Sequence, residues 1–262
     1  ALDLDGTLLN SQKEITSETR KALTWAKAHG IYVVLSTGRI VGEAAEFARE
    51  IDCEDKMVTA GGAAIATASD ERILESWAMP CEIGAQAVAA VQDLPVRVMI
   101  YVGDKIYINP FSDRDFVQNY RVEGFHANKV VLDDIAGAIR ARGLDVTKVY
   151  AIGERADLDK ALETIRPLPG ITITSSGSVN FEVMPAGVDK GTALVRLGEM
   201  LGVGPEEMVA IGDSDNDAAM LRAVGMPVAM GNADPALKQL ARYVTQDCDH
   251  DGVAQAVYHI FS

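Results

Sequence analysis

The 262-residue chain carries 38 acidic against 24 basic residues, a formal net charge of −14, with 48% hydrophobic content and only 6% aromatic. That hydrophobic share suits an ordinary globular core of one large or two moderate domains, while the acidic excess argues against nucleic acid and anionic membrane as partners, since both demand basic surface. Cys53, Cys81 and Cys248 are odd in number and form no Cys-x-x-Cys pair, so neither a disulfide framework nor a zinc site is expected, and a reducing cytoplasmic setting follows. No stretch is apolar for long enough to span a bilayer and no signal segment opens the chain, which reads as soluble and unexported. Nothing in the sequence speaks to oligomeric state.

Ala1-Leu2 is too short for a strand and reads as the last part of one, with a few preceding residues missing from the chain. Asp3-Leu4-Asp5-Gly6-Thr7 follows. Residues i and i+2 of a strand share a side, so Asp3 and Asp5 begin on one face and Gly6 turns the chain away. Carboxylates this close repel, so the pair is partly protonated or shares a cation, and an all-oxygen site of this kind suits Mg²⁺.

Residues 16–28 have helical spacing with Ser17 as the cap, and Gly30 ends them. The apolar run 31–35 reads as a strand buried on both faces, ending in Ser36-Thr37-Gly38-Arg39. A helix over Val41–Ile51, a strand at 57–60, Gly61-Gly62 and further apolar segments up to Trp77 continue it. Alternating strand and helix predicts a parallel sheet with right-handed crossovers.

The pattern changes near Pro80. A helix over 83–91 precedes two β-rich runs, 96–102 and 105–109, whose Gly103-Asp104 connection signals a hairpin. Another strand at 146–152, a helix at 158–165, and strands at Ile171–Thr174 and 179–183 around Ser176-Gly177 complete a layer of two helices on an antiparallel sheet. From Asp189 the α/β pattern returns: a helix through Leu194, Leu197 and Leu201, a strand at 208–211, a helix over Ala218–Ala223, a strand at 226–230, a helix at 234–240, a short strand near Tyr243 and a closing helix at 253–260. The fold class is therefore α/β, a Rossmann-like parallel-sheet core formed by residues 1–80 and 185–262, with an inserted α+β domain at 81–184.

Four features fall where core strands end, the edge at which open α/β sheets bind ligands. They are Asp3 with Asp5, Thr37-Gly38-Arg39, Asp189-Lys190-Gly191, and Gly212-Asp213-Ser214-Asp215-Asn216-Asp217. A carboxylate attacking a phosphoryl group needs a cation, donors for the equatorial oxygens and an acid for the leaving oxygen; each has a candidate here. The alternate acids from Asp213 do not make a calcium loop, since Ala218 stands where Gly is required and Val224 where a bidentate Glu is required.

This order of motifs resembles the haloacid dehalogenase (HAD) superfamily, and in particular its Cof-type phosphatases with a type IIB α+β cap. The matches are Asp3 to Thr7, Thr37 with Gly38-Arg39, Lys190, and Gly212 to Asp217, with Asp251-Gly252-Val253-Ala254 resembling the family's closing segment. The resemblance implies Asp3 as the nucleophile that becomes an aspartyl-phosphate and Asp5 as acid, then base. It implies Thr37, the Gly38 and Leu4 amides, Lys190 and Asn216 as phosphate holders, and Mg²⁺ on Asp3, the Asp5 main-chain carbonyl and Asp213, with Asp217 in support. Neighbouring acids give Asp5 a reason for a raised pKa. Gly61 departs from the branch, which usually has Asn there. Arg39 meets either an anionic end of the substrate or cap carboxylates, and Glu182 is a structural edge residue or a cap-side contact. His29, His126, His250 and His259 are scattered and receive no role.

The function expected is Mg²⁺-dependent hydrolysis of small phosphomonoesters, sugar phosphates foremost, with the cap closing over the leaving group. The alternatives are a phosphosugar mutase using the same aspartyl-phosphate and a non-enzymatic phospho-acceptor, against which Asp5 and the inserted lobe argue.

Overall fold

The computed structural model describes residues 1–120, 122–175 and 179–261. Residues 1–3 run extended between two parallel neighbours, Leu2 pairing with Leu35 on one side and Ile211 on the other. The Leu2 N–H donates to the Val34 carbonyl at 2.9 Å, the Ser36 N–H to the Leu2 carbonyl at 2.8 Å and the Asp3 N–H to the Ile211 carbonyl at 3.1 Å. Helix α1 (Ser17–Ala28) is capped by Thr16, not Ser17: the Thr16 side chain accepts from the Thr19 N–H. Helix α2 (Val41–Ile51) follows, and β1 (Lys56–Thr59) extends the parallel sheet through Ser36 and Val58.

The parallel run ends there. Strands β2 (Ala64–Thr67) and β3 (Ile73–Ser76) return antiparallel to it, because the connections after β1 and β2 are too short for a crossover.

The middle of the chain contains α3 (Cys81–Ala89), β4 (Arg97–Val102), β5 (Lys105–Ile108), α4 (Pro110–Asn119), α5 (Glu123–Asn128), β6 (Lys129–Val131), α6 (Ile135–Arg142), β7 (Lys148–Ile152), α7 (Arg155–Ile165), β8 (Ile171–Thr174) and β9 (Asn180–Pro185). Its strands form one sheet in the order β6-β5-β4-β7-β9-β8, antiparallel except between β5 and β6. The hairpin at Gly103-Asp104 forms as the sequence predicts; the turn at Ser176-Gly177 lies outside the described residues. More helices appear than the two expected. Helices α3, α6 and α7 bury Val88, Ile139 and Leu162 in one apolar layer with the sheet. Helices α4 and α5 put Phe116 and Phe125 against Ile106 and Ile108 of β5 and against Ile40 and Val188 of the other lobe.

The chain then returns through α8 (Lys190–Leu201), β10 (Val209–Gly212), α9 (Ala218–Ala223), β11 (Met226–Ala229), α10 (Pro235–Lys238), β12 (Tyr243–Val244) and α11 (Gly252–Phe261). The parallel sheet thus reads β12, β11, β10, Leu2, Leu35, β1. Its apolar strands bury Leu35, Val58, Ile211 and Val228 beneath the helices. Asp3, Thr37 and Asp213 all follow the ends of neighbouring parallel strands and so share one edge. The result is a Rossmann-like core with an inserted cap. Among the described residues, no helix is long and apolar enough to cross a membrane.

Candidate active site

Leu4 is fully buried, and its carbonyl accepts from the Thr7 and Leu9 amides, which folds the chain back after the strand. The acids on either side of it have different partners. Asp3 is 5% exposed and receives the Lys190 ammonium at 2.6 Å from its Oδ1. The same Nζ lies 2.7 Å from Asp217 Oδ1. Asp5 is gripped by the Arg39 guanidinium, Nε to Oδ2 at 2.9 Å and Nη2 to Oδ1 at 2.8 Å, and by the Lys13 ammonium at 2.9 Å.

This overturns two expectations. Arg39 pairs with Asp5 rather than with cap carboxylates, because the loop after the Leu35 strand lies next to the loop after the Leu2 strand. Burial pushes the Asp5 carboxyl up, but the hydrogen bonds and charge of Arg39, aided by Lys13, outweigh it and hold the group well below the usual carboxylate range.

The loop after β10 is built around Asp217, which is fully buried. Its Oδ2 accepts from the Asp213 and Ser214 amides at 3.0 and 3.1 Å, and its Oδ1 takes the Lys190 bond. Asp213 is left facing the cleft, accepting from the Thr7 hydroxyl at 3.2 Å. Burial, then the Asp217 charge, push the Asp213 carboxyl up to about 7 against the Thr7 bond. Burial also raises Asp3, with Lys190 opposing and the Asp217 and Asp213 charges adding. Lys190 is pushed up despite its burial, because Asp217 and Asp3 both favour its charged form. Carboxylate oxygens of Asp3, Asp213 and Asp217 lie within 4.8 Å of one another, an all-oxygen donor set whose chemistry fits a hard divalent cation.

The remaining motif residues line the same cleft. The Thr37 hydroxyl accepts from the Arg39 amide at 3.2 Å, the Gly38 carbonyl accepts from Lys148 Nζ at 2.7 Å, and Asn216 Oδ1 accepts from the Ser214 hydroxyl at 3.1 Å. The cleft encloses about 680 Å³ between core and cap.

Its cap wall holds residues that the sequence reading missed: Met99, Tyr101, Tyr120, Lys148 and Tyr150. Glu182 joins them and is no edge residue. It is 2% exposed, on β9 between β7 and β8, and pairs with Lys148 at 3.2 Å. The Tyr120 hydroxyl donates to Glu43 of α2 at 2.5 Å, and its ring centroid lies 5.7 Å from the Arg39 guanidinium. Burial pushes the Glu43 carboxyl up, with Arg39 and Tyr120 opposing. A signal for part of this wall was present: Lys148 and Tyr150 alternate with Val149 and Ala151, which puts them on one face of a strand.

An acidic, oxygen-rich pocket at a parallel-sheet edge, with a buried lysine and a closing cap, defines a phosphoryl-handling enzyme of the capped α/β class. The family model for haloacid dehalogenase-like hydrolases matches residues 1–257. A 5-amino-6-(5-phospho-D-ribitylamino)uracil phosphatase of Bacillus subtilis is 32% identical, over 99% of this chain and 94% of that protein. A pyridoxal phosphate phosphatase of Escherichia coli is 27% identical, over 98% and 96%. The solved structure of a haloacid dehalogenase-like hydrolase from B. subtilis superposes with a TM-score of 0.86 at 26% identity, covering 99% of this chain and 98% of that one. The chain belongs to the haloacid dehalogenase-like hydrolases, in the Cof-type branch, and is a phosphatase.

Proposed function

We propose that the chain is a Mg²⁺-dependent phosphomonoesterase of small phosphorylated metabolites, sugar phosphates foremost, working through an aspartyl-phosphate on Asp3. The observation that carries the reading is the convergence on one strand edge of buried Asp3, Lys190 and the Asp213 carboxylate, facing a cleft of about 680 Å³ that the cap covers. Asp3, the Asp5 carbonyl and Asp213 would hold Mg²⁺, with Asp217 supporting. The ion's chemistry there is to offset the charge between two anions, the Asp3 carboxylate and the ester phosphate.

Lys190 opposes the burial that raises Asp3, favouring its carboxylate form, and orients it for in-line attack on phosphorus. Thr37, the Gly38 and Leu4 amides, Lys190 and Asn216 receive the phosphoryl oxygens. Asp5 enters as a carboxylate held by Arg39 and Lys13. The arriving phosphate dianion favours its protonation by like-charge repulsion; Asp5 takes that proton from solvent water before the cap covers the cleft, and then passes it to the leaving alkoxide. Returned to the carboxylate, it takes a proton from the water that hydrolyses the aspartyl-phosphate. Residues 81–184 form the cap lobe that excludes bulk water and limits substrate size.

Two considerations favour a small metabolite as the leaving group. One relative is named for a phospho-D-ribitylamino uracil, which carries a polyol chain, and another for pyridoxal phosphate, and the cap wall lines the cleft with the tyrosine rings of Tyr101, Tyr120 and Tyr150. The test is phosphate release from sugar phosphates, nucleotides and cofactor phosphates, with Mg²⁺ and with EDTA. Metal-dependent turnover that Asp3→Asn abolishes is the expected result; no release from any ester by the folded chain would overturn the reading.

A further inference from the structure

Strand β7 carries a charge that the chemistry above leaves without a task. Lys148 is 2% exposed, and a buried ammonium is costly unless partners surround it. Its Nζ lies 3.2 Å from Glu182 Oε2, 4.7 Å from the Tyr101 ring centre and 5.8 Å from that of Tyr150. All three belong to the cap. The fourth and shortest contact crosses to the core, where Nζ donates to the Gly38 carbonyl at 2.7 Å. A buried ion pair is a poor stabiliser, since well-packed apolar side chains serve as well. Its position at the junction of the lobes therefore points to a function.

The peptide that Lys148 holds is a central one. Its carbonyl is that of Gly38 and its N–H is that of Arg39, which donates to the Thr37 hydroxyl. The next side chain, Arg39, grips Asp5. One hydrogen bond from the cap thus acts on Thr37, on the Gly38 backbone and, through Arg39, on Asp5. The seat of Glu182 is equally specific. Gly61 has φ +77°, and a Cβ there would lie 2.9 Å from Met184 Sδ and 3.4 Å from Glu182 Oε2. An Asn at this position would project into space that the Glu182 carboxylate and the Met184 thioether now fill. The Gly61 N–H itself donates to the Thr37 carbonyl at 2.9 Å, so both loops meet at this point.

We propose that Lys148, seated by Glu182, is a positioning residue through which closure of the cap orders the Thr37–Gly38–Arg39 loop, and that Gly61 gives Glu182 the room to seat it. The inference rests on reading Thr37 and Gly38 as phosphate holders. It assigns Lys148 to the loop and not to the leaving group, which makes it testable.

The experiment compares the wild-type chain with Lys148→Met and with Lys148→Met/Glu182→Gln. The substrates are three Mg²⁺-supported esters of unlike leaving group: a hexose phosphate, a nucleoside monophosphate and para-nitrophenyl phosphate. A hydrogen bond from a charged donor contributes about 10- to 100-fold. The expected loss in kcat is of that size, the same on every ester, with KM nearly unchanged. The single variant leaves Glu182 buried without its ion partner and lowers the thermal midpoint. The double variant removes both charges and should recover the midpoint but not the rate.

Three results would overturn the proposal: wild-type rates in the variants, a loss confined to hydroxylated leaving groups, or a rate that returns together with stability. Orthovanadate titrated calorimetrically gives a readout independent of turnover, and Lys148→Met should weaken its binding. If the wild type hydrolyses no ester, the phosphatase reading fails by itself. Vanadate affinity then decides about Lys148, weakened affinity supporting the proposal and equal affinity overturning it.

Discussion

Lys190 sits between two carboxylates at 2.6 and 2.7 Å and is 1% exposed. Removing its charge strands two buried anions, the most damaging way to break such a group. Lys190→Met should lose all turnover and about 3–5 kcal/mol in urea unfolding, whereas breaking an exposed pair such as Arg140 with Glu82, which water screens, should leave the unfolding midpoint nearly unchanged. Arg39 allows a pH test. Because the folded state holds the Asp5 carboxyl low, its ion pair contributes stability that is fully present above the ordinary carboxylate value of about 3.9 and is lost as pH falls below it. The thermal midpoints of wild type and Arg39→Met should therefore differ by a constant amount from pH 5 to 8 and converge in acid. A gap that persists at the lowest pH would mean that Arg39 acts through packing on Phe47 and Tyr120. The motif acids and Lys190 were legible because each follows a strand or opens a helix with a local signature. The Arg39–Asp5 pair was not, since the two are 34 residues apart and meet only because their strands are neighbours.

Among the elements, long periodic stretches such as α1, α2 and α7 and the β4–β5 hairpin could be read directly from the sequence. The short helices of the cap could not. Helix α4 has few apolar residues in Pro110–Asn119 and is started by Asn109, whose side chain accepts from the Ser112 amide; α6 is eight residues with Gly137 inside. Their stability comes from packing, which a period-based reading does not see. Of these overlooked helices, α4 and α5 hold the cap to the core, whereas α6 packs on α3 within the cap. Gly124 of α5 lies so close to α2 that an added Cβ would be 2.1 Å from the Gly42 carbonyl oxygen. Its amide donates to Glu46 at 2.5 Å, beside the bond from Tyr120 to Glu43. Gly124→Ala should push α5 off α2 and break both bonds. Displacements of about 1 Å cost on the order of a hundredfold in rate, so kcat/KM should fall by that order. The radius of gyration from small-angle scattering should rise. An unchanged rate would show that this contact is packing without consequence for closure.

For the molecule as a whole, a net charge of −14 makes the carboxylates of the cleft a liability that a cation would relieve. Burial raises both Asp3 and Asp213, the latter to about 7, so at these two carboxyls the folded metal-free chain binds more protons than the unfolded one. Their contribution to stability therefore falls as pH rises, against the opposite trend of the Ala1 amine, which burial pushes down to about 5. The contribution of Asp213 is fully present below the unfolded value of about 3.9 and is lost as pH climbs through about 7. A divalent ion bound only by the folded state adds RT ln(1 + [L]/Kd), about 2.7 kcal/mol at a hundredfold excess over Kd. In EDTA the thermal midpoint of wild type should therefore decline relative to that of Asp213→Asn between pH 5 and 8, and the gain on adding Mg²⁺ should grow across the same window as the ion takes the place of the proton. Asp213→Asn should abolish most of that gain. It should also leave the metal-free chain at pH 8 no less stable than wild type, because the substitution removes a charge that the fold holds at a cost. A midpoint indifferent to Mg²⁺ at every pH would mean that the three carboxylates do not form a cation site. A growing gain would identify the acids that weaken the metal-free fold as those that hold the ion, the trade between stability and function expected where charges are gathered for chemistry.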